Sequence, residues 1–234
     1  MTINHISLSA LCILLGLPAA PAQAVKQEMQ QKLATVKESV ARNQAALKQY
    51  SWTEHTDISL KGEVKKTTDN LCRYGADGQV AKTPIGTPAP KKELRGMKKK
   101  MAEKKVGELT DYMDRAAALI HRYMPPSPEK MQAALQSGTV SVGQAGPGKI
   151  QLQFRDYAKT GDALTFNFDS AKKALETITV NSYLDDPMKD VVTLAVMFES
   201  LPDGTNHVWS TLLNAAAKEV QVKTTNSNYQ KLAR

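Results

Sequence analysis

The sequence is poor in the residues that usually advertise chemistry. It has two cysteines in 234 residues, and one of them, Cys12, lies in an apolar N-terminal run. Once that run is removed Cys72 stands alone, so no internal disulfide can form even in an oxidising compartment. Its place on a strand-like stretch reads as that of a small buried hydrophobe. His55, His121 and His207 are scattered, with no pairing at metal-ligand spacing, which argues against zinc. There is no Gly-x-Ser-x-Gly elbow and no separable carboxylate pair. Aromatics make up only 6% of the chain, and its last residues, Leu232-Ala233-Arg234, carry none; an outer-membrane barrel needs aromatic girdles and has no place for amphipathic helices.

Two segments come close to a motif and miss. Gly143-Gln-Ala-Gly-Pro-Gly148-Lys149 approaches a phosphate-binding loop, but Ile150 stands where a magnesium-holding Ser or Thr belongs. The segment also leads into a strand pattern, whereas such a loop must open a helix; a glycine-rich connection is expected instead. Asp185, Asp186 and Asp190 resemble part of a calcium loop, but Pro187 intervenes and the required Gly and Glu are missing. A copper site of Met97, Met101 and His121 is the one metal reading left open. The expectation is a protein with no cofactor and no catalysis.

Long apolar runs are missing except at the start. From Ile6 to Leu17 the chain is almost wholly apolar; Pro18 and Pro21 break it, and Ala22-Gln23-Ala24 supplies a small-x-small cleavage site. The run is too short to span a bilayer core of roughly 30 Å. Residues 1–24 are therefore expected to be a signal peptide cleaved after Ala24, and the mature protein to be periplasmic. Taking 24 from 234 residues leaves 210, enough for a single domain with a sizeable core.

Acidic residues are the minority, 23 against 31 Lys and Arg, for a net charge of +8. Lys91, Lys92, Arg95, Lys98, Lys99, Lys100, Lys104 and Lys105 concentrate that charge against only Glu93 and Glu103. In an exported chain such a patch suits anionic membrane or an acidic partner protein. No aromatic interleaves it, so nucleic acid is not expected. A solvated helix face is the plainer reading of the same residues.

What the sequence does hold is pattern. Met29, Leu33, Val36, Val40, Leu47 and Tyr50 fall on one helical stripe, which predicts a long amphipathic helix over about Val25–Gln49. The period then drops to two through Trp52, Ile58, Leu60 and Val64, and again at Asn70–Tyr74 and Gln79–Ile85. A helical insertion at about 91–138 follows, with Gly96 and Gly107 expected to divide its first part. Its last helix should start at Ser127-Pro128 and end at Gly138. Beyond it, Ile150–Phe154 and Leu164–Phe168 alternate cleanly, and four more strands at about Ala174–Ser182, Val191–Glu199, His207–Leu213 and Glu219–Thr225 complete a meander. The fold class is α+β: a strongly curved antiparallel sheet of about nine strands, an incomplete barrel covered by amphipathic helices. Residues 25–234 form one such domain.

That order of elements, a long helix, a few strands, a helical insertion and a long meander, resembles the periplasmic lipoprotein carriers (the LolA/LolB-like half-barrel). The resemblance covers nearly the whole mature chain and is one of pattern, so no family site is carried over. It implies an acyl chain lying between sheet and helices. Shelter is needed because each exposed CH₂ costs about 0.8 kcal/mol in water. The candidate groove residues, chosen for apolarity, are Trp52, Ile58, Phe154, Phe166, Phe168 and Val196, with Met97, Met101 and Met113 from an adaptable thioether lid. If the interior is filled by its own side chains, the same residues are simply core. The expected protein is a monomeric lipid or lipoprotein acyl-chain carrier, or else a non-catalytic envelope adaptor acting through the Lys91–Lys105 patch.

Overall fold

A computed structural model describes residues 38, 41–86 and 97–232, with side chains described from Lys104 onward in the helical insertion. The leader, most of the Val25–Gln49 helix, and Lys91, Lys92 and Arg95 lie outside the described residues. Positions 41–47 are helical, in keeping with that helix's C-terminal end.

Ten strands form one unclosed antiparallel sheet: β1 (Tyr50–Leu60), β2 (Glu63–Tyr74), β3 (Val80–Pro84), β4 (Val140–Gly146), β5 (Lys149–Arg155), β6 (Ala163–Asp169), β7 (Ala174–Tyr183), β8 (Val191–Ser200), β9 (Asn206–Ala215) and β10 (Val220–Lys231). Their spatial order is β3-β2-β1-β10-β9-β8-β7-β6-β5-β4. Both chain-adjacent strands β3 and β4 are therefore edges. The chain crosses from one edge to the other through α1 (Met97–Ile120) and α2 (Pro128–Ser137). The helical insertion is thus a strap over one face of an open, curved sheet.

Three sequence expectations are corrected. The tenth strand is β4, which Gly143 and Gly146 disguise as a connection; it pairs with β5 and turns back through Pro147-Gly148, where Gly148 takes a φ of 69°. The first strand does not reach Val64. It stops at Leu60, and Lys61 and Gly62 form a two-residue turn with φ of 54° and 77° that puts Val64 on β2. Positive φ at both central residues is what a hairpin turn matching strand twist requires, and lysine is an unusual donor of it. Gly107 does not divide α1, which runs unbroken to Ile120. Glycine costs a helix only about 1 kcal/mol, and packing of the later turns outweighs that.

The short helix behaves as the sequence predicts. Ser127 caps α2 by accepting the Lys130 N–H, Pro128 occupies its first turn, and Gly138 closes it at a φ of 73°.

The register settles which face points inward. Val140, Phe154, Leu164, Val180, Leu194 and Leu213 face one another across six successive strands, as do Leu152, Phe166, Ile178 and Val196 in the next row. Onto this face α1 lowers Tyr112, Ala116 and Leu119, spaced four and three residues apart, the turn after it adds Tyr123, and α2 adds Ala134. Each large side chain so buried contributes about 1.5–3 kcal/mol.

Candidate functional site

The inward face changes character along the sheet. From β5 to β8 it is closed by helix. Phe154 is fully buried, Phe166, Phe168 and Val196 are at most 5% exposed, and Met113 packs half-buried against them. Phe154 meets Phe166 edge-on at 5.7 Å between ring centres, and Tyr157 at 6.3 Å. Four of the expected groove residues and one lid methionine therefore sit within the packed core. Ile58 is half-buried on β1 opposite Val222. Met97 and Met101 belong to the first turns of α1, and their side chains lie outside the described set, as do those of Lys98, Lys99 and Lys100. Lys104 and Lys105 are exposed on the same helix.

A polar lock holds that half shut. Tyr123, in the turn that follows α1, donates to Asp162 Oδ2 at 2.5 Å and meets Ser182 Oγ at 2.8 Å. The same carboxylate accepts the backbone N–H groups of Tyr157, Ala158 and Lys159 at 2.6, 3.0 and 2.8 Å. Burial, reinforced by the Asp162 bond, raises the Tyr123 phenol far above its ordinary pKa. Arg115 adds an exposed bond to Asp185 at 2.7 Å.

Beyond β9 the face opens into a cleft of about 360 Å³, lined chiefly by Trp52, Tyr74, Val80, Val208 and Tyr229, with Leu47 bordering it. Trp52 stacks on Tyr229 with ring centres 5.5 Å apart and planes 13° from parallel, and leans on Tyr74 at 5.6 Å. Behind Tyr229 lies His207, 4.1 Å between ring centres. Burial lowers the His207 pKa, and its Nδ1 has no partner among the described residues. Cys72 is fully buried across from Trp52, as its pattern suggests, and burial pushes its thiol up.

One charged pair breaks the apolar lining. Glu54, on the inward phase of β1, is 8% exposed, and Lys82 on edge strand β3 donates to both of its carboxylate oxygens at 2.7 Å. Asn70 adds a bond to Oε1 at 3.3 Å. Asn226 faces Glu54 from β10, and Thr224 and Thr211 continue the polar rim. Sequence reasoning picks out Trp52 here but misses Glu54, Lys82, Tyr74 and Tyr229. A carboxylate at the inward position between Trp52 and Ile58 was the available signal, since a strand with one buried face rarely places a charge there without a partner.

Among the described residues no cluster of His, Cys, Asp and Glu could hold a metal, and no helix is long and apolar enough to cross a membrane.

No protein-family model and no curated protein matches the chain. Among solved structures it is similar to a DUF1329 family protein from Desulfovibrio piger ATCC 29098, at 12% identity, covering 86% of this chain and 92% of that one with a TM-score of 0.39.

Proposed function

We propose that the protein is an exported, non-catalytic lipid-binding protein that carries a single acyl chain through the periplasm in the cleft between β9 and β3. The observation that carries this reading is the contrast between the two halves of the inward face. Helix and side chains fill the β5–β8 half, while among the described residues a cleft of about 360 Å³ walled by Trp52, Tyr74 and Tyr229 remains on the other. The volume lies near the lower end of the roughly 300–1,000 Å³ typical of small-molecule sites, and it suits one chain rather than a bundle of them. Apolar walls supply the shelter an acyl chain needs in water, about 0.8 kcal/mol for each CH₂ enclosed. Export rests on the leader pattern, and a lipid or the acyl chain of a lipoprotein is the partner it implies. The protein works as a monomer in this reading.

Native mass spectrometry of protein recovered from the periplasm, lacking residues 1–24, should show an adduct of lipid mass that organic extraction removes. A clean ligand-free mass, together with no uptake of added fatty acid, would overturn the assignment.

A further inference from the structure

The charged pair at the mouth of the cleft is lopsided, and the asymmetry bears on the ligand's head. Glu54 and Lys82 are nearly equal in bond length, both oxygens standing 2.7 Å from Nζ, but not in access: the carboxylate side chain is 11% exposed and the lysine side chain 49%. The anion is enclosed by its own strand and by Asn70, while the cation stands at the sheet edge. An ammonium has three donors. Two are directed at Glu54, and no other acceptor for Lys82 is found among the described residues. Whatever enters the cleft therefore meets a hydrogen-bonding cation at the rim and aromatic walls behind it.

We propose that the cleft takes a single-chain amphiphile with an anionic head, the tail against Trp52, Tyr74 and Tyr229 and the head on Lys82 Nζ. This deepens the lipid-binding reading and depends on it. A carboxylate and a phosphate monoester share the chemistry required, since each presents charged oxygens to an N–H donor. A quaternary ammonium head would meet like charge at Lys82 and has no donor for Glu54. A neutral ester head would leave the third N–H unused. Glu54 has a second role in this arrangement: it holds Lys82 in place while diluting its charge. Removing the Glu54 charge should therefore strengthen binding of an anion, whereas a merely structural Glu54 would weaken it or leave it alone.

The test is calorimetric titration of the mature protein with dodecanoate, dodecyl phosphate, methyl dodecanoate and dodecyltrimethylammonium, all below their micelle concentrations. The two anions should bind roughly tenfold or more tighter than the ester, as one charge-assisted bond implies, and the preference between them identifies carboxylate or phosphate as the head. Glu54→Gln should tighten dodecanoate binding several-fold, and Lys82→Gln should bring dodecanoate down to the level of the ester. The probe series on the unaltered protein needs no variant to fold. If the ester or the ammonium binds as well as the anions, the anionic-head inference falls and lipid binding stands. If no dodecyl chain binds at all, the lipid-binding reading fails and this inference goes with it.

Discussion

Tyr123 and Asp162, 39 residues apart, are joined by a buried 2.5 Å hydrogen bond that fastens the end of α1 to the loop before β6. The carboxylate also receives three backbone N–H groups, so it organises the loop and the helix together. The junction lies on the half of the inward face that the helices cover.

Asp162→Ala should therefore be among the costlier single changes. It strands several buried donors at once, and a loss of about 3 kcal/mol or more is expected. Tyr123→Phe removes the hydroxyl's bonds to Asp162 and Ser182 but spares the three backbone bonds to Asp162 and keeps the ring stacked on Tyr157, whose centre is 5.8 Å away, so a smaller loss of about 1–2 kcal/mol is expected. Urea denaturation of both variants checks the ordering; equal losses would show that the loop does not depend on the carboxylate.

The packed half and the open half should answer differently to changes of volume. Phe154 is fully buried among aromatic neighbours, so Phe154→Ala should cost about 3–5 kcal/mol of stability through the cavity it leaves. Thr211 lines the open cleft, where a larger side chain has room. Thr211→Trp should leave the melting temperature close to that of the parent while lowering acyl-chain binding at least roughly tenfold, as expected when a ligand's place is filled. Unaltered uptake of fatty acid by Thr211→Trp would place the ligand elsewhere.

His207 links the cleft to acid sensitivity. Burial against Tyr229 holds its pKa below the ordinary 6.5. A histidine kept neutral in the fold stabilises the protein fully above the unfolded value of about 6.5, and the contribution is lost as pH falls from there through the folded pKa. Stability should thus decline on acidification through this window. His207→Gln, which does not titrate, should flatten that decline in thermal melts recorded across the window. An identical slope in the variant would assign the sensitivity to other groups.

A second acid-sensitive junction lies at the lip of the β8–β9 turn. Asp203 accepts from Tyr50 Oη at 2.5 Å and pairs with Lys231 at 2.9 Å, tying that turn to the ends of β1 and β10. The Tyr50 bond, followed by the Lys231 bond, holds the Asp203 carboxyl well below the ordinary carboxylate range. Its folded pKa is depressed, so its contribution is complete above the ordinary value of 3.8 and disappears as pH falls through the folded one. Asp203→Asn should lower the melting temperature at neutral pH and narrow the gap from the parent in strong acid; a constant gap at all pH values would contradict this.

Much of the architecture was legible because alternation and helical period are local signals. Leu152, Phe154, Leu164 and Phe166 announce their inward face by period two, and Ser127, Pro128 and Gly138 announce α2 by capping chemistry alone. Where the reading failed, a residue carried the wrong local signal. Gly143 and Gly146 hid β4, because an edge strand needs pairing on one side only and tolerates glycine; Lys61 hid a tight turn, because it takes a left-handed conformation usually left to glycine or asparagine.

The sequence by itself determined that one face of each strand would be buried and that helices would have to cover it, since apolar periodicity leaves no other way to remove that surface from water. It could not say how far the cover would extend. That was decided only when β3 and β4 became opposite edges of one sheet and α1, strung between them, was fastened at Asp162. Phe154 and Trp52 carry the same apolar signal in the chain. One became core and the other the wall of a cleft because long-range pairing, which local pattern does not encode, set one on β5 among the buried side chains of α1 and the other on β1 beside Tyr74 and Tyr229.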